Sequence, residues 1–425
     1  MSKQDDKKTV TPKLRFPEFQ TASGWDKRVL SNICSITNGK ANAQDHIEDG
    51  KYPLFDRSEV IKASNNYLFD CEVVIIPGEG MRFIPKYYKG KFDLHQRAYA
   101  LKDFTINGKF VYYSMVNSSN ILLRKAVQST VLSLRLPILQ NFQIVIPKEI
   151  KEQQKIADCL SSIDELITLR EQRLTALKQH KKGLMQQLFP GHNDLQASKQ
   201  ASKQASKQAS KQASKQASKI VYPKLRFPQF KNCKGWEVVE LRTLADRITV
   251  KNKTNKISRV LTNSANDGVI DQREYFDKDI ANKDNLDSYY IIELGDYVYN
   301  PRISNLAPVG PISKNRVSTG VMSPLYTIFR FKNVQNDFYE HFFKTHAWHK
   351  HLQQNSNHGA RHDRMNITND DFMSMPLPDP SLEEQQAIAD CLSSLDKLIS
   401  EENEHIGSLK AHKKGLMQQL FPKNN

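Results

Sequence analysis

The stretch from Glu152 to Pro190, EQQKIADCLSSIDELITLREQRLTALKQHKKGLMQQLFP, decides the fold. It returns 232 residues later, from Glu384 to Pro422, as EQQAIADCLSSLDKLISEENEHIGSLKAHKKGLMQQLFP, with 26 of 39 positions identical and no gap. A duplication of this length governs the architecture before any local propensity does. Each copy reads as one long helix. It carries no internal proline and stops at Phe-Pro (Phe189-Pro190, Phe421-Pro422), because proline disfavours helical backbone in the residue before it. Apolar residues recur at alternating steps of four and three. The first series is Ile156, Leu160, Ile163, Ile167, Arg170, Leu174, Leu177, Lys181, Leu184, Leu188. The second is Ile388, Leu392, Leu395, Ile399, Glu402, Ile406, Leu409, Lys413, Leu416, Leu420. Such a stripe is a coiled-coil seam of about five heptads, on a helix spanning roughly 55–60 Å. Two of them in one chain most simply bury each other.

The charged slot in mid-seam is Arg170 in one copy and Glu402 in the other. The fifth slot of ten lies near the middle in either relative direction. Opposite charges there favour pairing copy with copy over like with like, so Arg170 and Glu402 are expected to lie close in space.

The repeated unit is larger than the helix. Thr11 to Leu30 (TPKLRFPEFQTASGWDKRVL) and Tyr222 to Leu241 (YPKLRFPQFKNCKGWEVVEL) share PKLRFPxF and then Gly-Trp, at an offset of 211. These lead-in segments are expected to be structural straps whose Trp and Phe pack on the domain that follows. Between lead-in and helix the halves diverge, and the second is 21 residues longer. A common order survives. Glu72 to Pro77 and Asp296 to Pro301 each read as an acid, a short strand and a proline. A polar, basic, Gly-containing loop follows in both. Next come a strand (Arg97 to Leu101, Leu325 to Phe331) and an aromatic helix (Phe110 to Val116, Phe338 to His346). The expected fold is mixed α/β (α+β), an internal pseudo-twofold repeat of two globular domains separated by two long helices. The segments are 1–150, 151–190, 191–219, 220–380 and 381–425. Residues Gln196 to Lys219 are six tandem copies of Gln-Ala-Ser-Lys. That composition tolerates helix but has no apolar face, so it reads as a solvated helix or a linker.

The chain of 425 residues has a formal net charge of +16, and both globular regions are positive. This balance points to a polyanion partner, above all nucleic acid. No run of 18 apolar residues suggests a membrane span, and the start, MSKQDDKKTV, lacks the apolar core of a secretory signal. The five cysteines are scattered with no CxxC pair, and Cys159 and Cys391 read as small packing residues. A reduced, cytoplasmic protein is expected. Catalytic motifs fail on inspection. Ser323-Pro324-Leu325-Tyr326 lacks the second proline of an amino-methyltransferase tetrapeptide. Gly78-Glu79-Gly80 is a lone GxG, Glu149-Ile150-Lys151 has no Pro-Asp strand before it, and no GxxxxGK[ST] occurs. His341, His346, His349 and His351 lie in HFFKTHAWHKH, which is expected to be a solvated helix surface rather than a metal site.

In several features the chain resembles the specificity (S) subunit of type I restriction-modification systems. These are the paired PKLRFP…GW lead-ins, the approach MPLPDPSLEEQQAIADCLSSLD (Met375 to Asp396), the twin HKKGLMQQLFP ends, and VYNPRISNLAPVG with TGVMSPLY in the second half. The resemblance covers nearly the whole chain. It implies two target-recognition domains, each reading one half of a bipartite double-stranded DNA site, and two helices in an antiparallel coiled coil that sets the gap. It also implies two methyltransferase (M) subunits docked on the helices and two restriction/motor (R) subunits. S-adenosylmethionine, ATP and magnesium would belong to those partners, with no cofactor and no catalytic residue on this chain. The QASK tract departs from a minimal member and could alter the gap. Arg, Lys, Asn and Gln in the recognition loops are the side chains suited to phosphates and base edges. The candidates are Arg82, Lys86, Gln96 and Arg97 in the first domain, and Arg302, Asn305, Lys314, Arg316, Arg361 and Arg364 in the second. The competing readings are a coiled-coil scaffold that binds other proteins, which retention on DNA would exclude, and a fused restriction/modification enzyme, which would be active without partners.

Overall fold

The computed structural model describes residues 10–127, 131–195, 220–275, 286–357 and 363–422. The QASK tract (Gln196 to Lys219) and Arg361 lie outside the described residues. The chain forms two compact units that cut across the linear segments. The first is Met1–Arg173 with Glu402–Asn425, and the second is Leu174–Glu401. Each therefore contains one globular region, the base of the long helix that follows it, and the tip of the other long helix.

The two long helices are Ile150–Leu188 and Leu382–Leu420. All twenty seam positions named above are buried or half-buried, the charged ones included. Within each unit the two helix segments run antiparallel. In the first, Lys413 Nζ meets Asp164 at 2.5 and 2.7 Å, and Arg170 Nη1 meets Glu402 at 3.1 and 3.2 Å. In the second, Lys181 pairs with Asp396. The cations inside the seam are thus each matched by a carboxylate on the facing segment. The sequence pattern pairs Arg170 with Glu402 but is silent on Lys181 and Lys413, whose partners sit one residue past a seam slot.

In the first unit the sheet comprises β2 (Ser35–Asn38), β3 (Tyr52–Phe55), β4 (Lys62–Ser64), β5 (Phe69–Pro77), β6 (Lys86–Leu94) and β7 (Ala98–Lys102), in spatial order 2-7-5-6-3-4. A separate ladder pairs β1 (Asp26–Val29) with β8 (Gln143–Ile146). All pairs are antiparallel except β3 with β6. The run Val73-Val74-Ile75-Ile76 is fully apolar because β5 is covered on both faces. Val74 and Ile76 face the main core with Trp25 and Phe110, while Val73 and Ile75 face Phe55, Phe92 and Leu94. A helix at Gly108–Asn117 closes one face. It starts at Asn107, whose side chain accepts from the Phe110 N–H.

The second unit repeats the central frame. Strands Ala245–Ile248, Thr327–Phe331, Tyr297–Tyr299 and Ile312–Lys314 lie in that order, which corresponds strand for strand to β2, β7, β5 and β6. Tyr297 and Tyr299 face the main core, while Val298 faces Leu261, Val269, Met322 and Ile328. The aromatic helix is shorter than expected. It spans Asp337–Phe343, turns through Thr345, whose hydroxyl donates to Phe342 O at 2.7 Å, and is followed by a second helix at His349–Asn355. Two of the four histidines correct the expectation of a solvated surface, since His341 and His351 are 3% and 1% exposed, while His346 is exposed and His349 half-buried.

The straps and the helices hold each other. Arg15 donates two hydrogen bonds to Glu152, at 2.7 and 2.6 Å, and others to Ala22 O and Ser23 O, while Trp25 Nε1 donates to Glu152 at 3.2 Å. In the second unit Arg226 binds Glu384 at 2.7 and 2.6 Å, with Cys233 O and Lys234 O as further acceptors. Both glutamates are 1% exposed, and bidentate pairing with a guanidinium that makes four hydrogen bonds offsets their desolvation. The Glu152 hydrogen bonds raise the Arg15 pKa further. The first glutamine of each EQQ ties down the chain entering the helix: Gln153 Nε2 donates to Pro147 O and Gln385 Nε2 to Pro380 O.

The strap also binds the tip of the other helix. Leu14 N–H donates to Gln419 O, and Leu225 N–H to Gln187 O, both at 3.0 Å. Phe421 then packs against Trp25 and Phe110, with ring centroids at 6.4 and 5.5 Å. In the second unit Phe189 packs against Phe338 and Phe342 at 5.2 and 5.9 Å. Each domain core is completed by the Leu-Phe-Pro end of the helix belonging to the other repeat.

Candidate nucleic-acid interface

In the first unit the loop after β5 and the turn before β7 are joined by backbone and side chain. Gly78 N–H donates to Arg97 O at 2.8 Å, and Arg97 Nη1 donates to Glu79 at 2.8 Å. The Arg97 side chain is still 61% exposed. Gln96, also exposed, donates to Asn42 at 2.8 Å. A cleft of about 480 Å³ opens beside them, lined by Arg57, Ser58, Glu59, Met81, Arg82, Ile84 and Lys86 among others. Arg82 is 75% exposed, with only a long 3.7 Å contact to Glu59. Lys86 is half-buried and donates to Ser58 O. Burial lowers the Lys86 pKa, against the pull of Asp56 and Glu59. The four sequence candidates therefore form two pairs: Arg82 and Lys86 at the cleft, Gln96 and Arg97 at the adjoining turn. Arg57 completes the cationic lining and was missed in the sequence, because only the folded β3–β4 connection brings it beside Lys86.

In the second unit the loop after Tyr297–Tyr299 carries Arg302 and Asn305, both exposed. Arg302 forms an antiparallel bridge with Arg364, reinforced by Ile303 N–H donating to Asp363 O and Met365 N–H to Pro301 O. Two arginines are thus set side by side by backbone pairing. Among the described residues Arg302 has no carboxylate partner, and the buried Nε of Arg364 has no hydrogen-bond acceptor, with only a long 3.7 Å contact to Asp363. Like charges held together with an unmet donor make a site for an anion. Lys314 and Arg316 are committed differently. Lys314, with its side chain 8% exposed, donates to Asn336 and Asp337 at 2.7 and 2.6 Å. Arg316 binds Glu340 at 2.6 Å and Asp337 at 2.7 Å. Both anchor the strand end to the Asp337–Phe343 helix.

The helix bases carry a further repeated constellation. Tyr113 OH donates to Asp164 at 2.8 Å and lies 3.4 Å from Ser161. Burial and the Asp164 carboxylate push its phenol far above the usual tyrosine range. The equivalent residue in the second unit is His341, whose Nε2 lies 3.1 Å from Ser393 Oγ and whose Nδ1 lies 4.0 Å from Asp396. Burial, helped by Lys344 and Lys181, lowers its pKa to about 4. Among the described residues no group of three or more His, Cys, Asp or Glu could hold a metal, and no helix is long and apolar enough to cross a membrane.

The type I restriction modification DNA specificity domain family matches this chain twice, over residues 22–179 and 233–411. The chain belongs to that family. It carries two DNA specificity domains, one in each repeat. The specificity subunit of the MjaVIII type I restriction enzyme of Methanocaldococcus jannaschii is 24% identical over 96% of this chain and 93% of its own length. The EcoDI specificity subunit of Escherichia coli is 26% identical over 155 residues, 36% of this chain and 34% of that protein. The chain thus spans about a third of the EcoDI subunit. The type I restriction-modification S subunit from M. genitalium shares the fold, with a TM-score of 0.61 at 14% identity, over 98% of this chain and 100% of that one. The mixed α/β architecture with an internal repeat is therefore that of a specificity subunit.

Proposed function

We propose that this chain reads a bipartite duplex DNA site for a type I restriction-modification complex, one half-site per domain, and leaves catalysis to its partners. The observation that carries the reading is a repeated sheet frame of the DNA specificity family whose equivalent loops carry Arg82 in one unit and Arg302 in the other, with Arg57, Lys86 and Arg97 near the first and Arg364 paired with the second. Phosphate contacts hold such a domain in register and base-edge contacts choose the sequence. The long helices serve as the spacer that sets the gap. Methyltransferase subunits, with their S-adenosylmethionine, and ATP- and magnesium-dependent restriction subunits supply the chemistry.

The helix surfaces support docking of one partner type twice. Gln154, Asp158, Ser162, Lys414 and Gln418 of the first unit are exposed, and their equivalents Gln386, Asp390, Ser394, Lys182 and Gln186 in the second are identical and exposed as well. Packing does not require that identity, whereas binding the same partner once per unit does.

The deciding experiment maps adenine methylation in cells expressing this chain with its cognate methyltransferase subunit. A split motif is expected, and shortening the QASK tract should change its gap if the tract contributes to spacing. Charge removal at Arg82 should relax one half-site and at Arg302 the other. An assembled complex that methylates no new split motif refutes the proposal.

A further inference from the structure

The two recognition units share a feature that cations alone do not explain. In the first unit the loop between β5 and β6 exposes Met81 to 78%, and in the second the equivalent loop exposes Leu306 to 71%. A single exposed apolar side chain is ordinary. Two of them, on the loops joining equivalent strands of a duplicated frame whose sequences have otherwise diverged, are a repeated design.

Both are held out by ordered backbone. Gly80, at φ +135°, donates its N–H to Leu132 O at 3.1 Å, immediately before Met81. Leu306 lies in a tight turn in which Ser304 and Ala307 exchange N–H donations at 3.0 and 3.1 Å. Gly310, at φ +80°, folds that loop back on its strand, and a Cβ there would sit 2.0 Å from Asn300 O. Each apolar tip is flanked by cations that suit a phosphate backbone: Arg57, Arg82 and Lys86 share the Met81 cleft, and Arg302 shares the Leu306 loop. The neighbouring 57–61 loop, tied across by Arg82–Glu59 and Lys86–Ser58, adds Val60 at 72% exposure. A protein surface or membrane would fit a broad apolar face; here the exposed apolar side chains, Met81 with Val60 in one unit and Leu306 in the other, stand among cations, and that mixture recurs in two otherwise unlike loops.

We propose that Met81 and Leu306 are apolar specificity residues, each making a hydrophobic contact with a base in its own half-site. This rests on the DNA-reading function above. The apolar chemistry a duplex offers is the thymine C5-methyl in the major groove, or a base face exposed when a step is opened.

The test uses the assembled complex of the full chain with its methyltransferase partner, and duplexes bearing its methylation motif at fixed salt. Each thymine of the motif is replaced singly by deoxyuridine, which removes only the methyl. With the wild-type chain, one replacement in each half-site should weaken binding about fourfold, the worth of one buried methyl group. Met81→Ala should abolish that sensitivity in one half-site and Leu306→Ala in the other, while Met81→Leu retains it. If the contact is instead to a base face, uracil changes nothing. Then Met81→Ala lowers affinity and removes the fluorescence rise of a 2-aminopurine placed at one step, which also upholds the proposal. Alanine variants that bind and methylate every site as the wild type does, with uracil effects unchanged, overturn it. A wild-type complex that assembles and binds DNA yet selects no motif sinks the DNA-reading function, and this proposal with it.

Discussion

Replacing Glu402 tests what selects the pairing of the two repeats. One Arg170 nitrogen reaches both Glu402 oxygens, at 3.2 and 3.1 Å, and the side chains are 30% and 7% exposed. Two unit charges about 4 Å apart attract by about 4 kcal/mol at an effective dielectric of about 20. Desolvation of Glu402 and solvent screening of the more exposed Arg170 reduce this, leaving a coupling of about 2 kcal/mol. Glu402→Arg removes the pair and sets two guanidinium groups against each other inside the seam, so it should destabilise the first unit by about 3–5 kcal/mol. Arg170→Glu should cost about as much. The charge-reversed double variant should recover most of the loss, because the geometry can be satisfied in either direction. Urea unfolding of the two singles and the double closes the cycle, and hydrogen exchange over residues 160–173 and 402–413 locates the effect. Singles that add within about 0.5 kcal/mol would refute the claim that this pair specifies which helix meets which.

Three further outcomes follow from the same geometry. Arg226→Met leaves Glu384, 1% exposed, without its bidentate partner, and should cost about 3–5 kcal/mol with loss of exchange protection confined to the second unit; a loss below about 1 kcal/mol would show the strap is ornamental. Phe421→Ala should destabilise the first unit by about 3–5 kcal/mol, and Phe189→Ala the second by as much, read as unit-specific hydrogen exchange; an effect on the wrong unit would overturn the cross-completion of the cores. His341 is neutral and buried among Ser393, Asp396, Lys344, Lys181 and Glu340, with its pKa lowered from 6.5 to about 4. Its contribution is full above pH 6.5 and is lost as pH falls towards 4, where the unfolded state binds the extra proton, up to about 3 kcal/mol. His341→Gln should flatten that part of the pH–stability curve, and a slope unchanged by the substitution would show that other groups carry it.

Much of the frame was legible because it repeats. The heptad seam could be read from spacing alone, and the structure covers all twenty of its slots. The order of β5, β7 and the aromatic helix was also readable in each domain, since β5 and its counterpart are short apolar runs bounded by an acid and a proline. The stretch expected as a loop between the strands itself holds one, however, β6 (Lys86–Leu94) in the first unit and Ile312–Lys314 in the second. The remaining boundary differences are local. Arg97 lies in a turn rather than at a strand start, and the aromatic helix of the second unit stops at Phe343, where Lys344 and Thr345 bond back to the preceding turn.

What the amino-acid sequence by itself determined is the duplication, the two long helices, and the opposite charges at their midpoints. Spacing and composition carry that information without any contact being known. Only the tertiary structure decided where each helix ends its course. The two HKKGLMQQLFP tips are identical, so nothing local tells Phe421 to seat on Trp25, or Phe189 on Phe338. The choice comes from the antiparallel packing of the segments and the strap bonds from Leu14 and Leu225. The work of each cation was likewise settled by neighbours far along the chain. Lys314 and Arg316 face carboxylates of the Asp337–Phe343 helix, whereas Arg302 is paired through the backbone with Arg364, whose nearest carboxylate is its own neighbour Asp363 at 3.7 Å. A charge in a sequence has no direction, and it acquires one only when the fold places acids or open solvent in front of it.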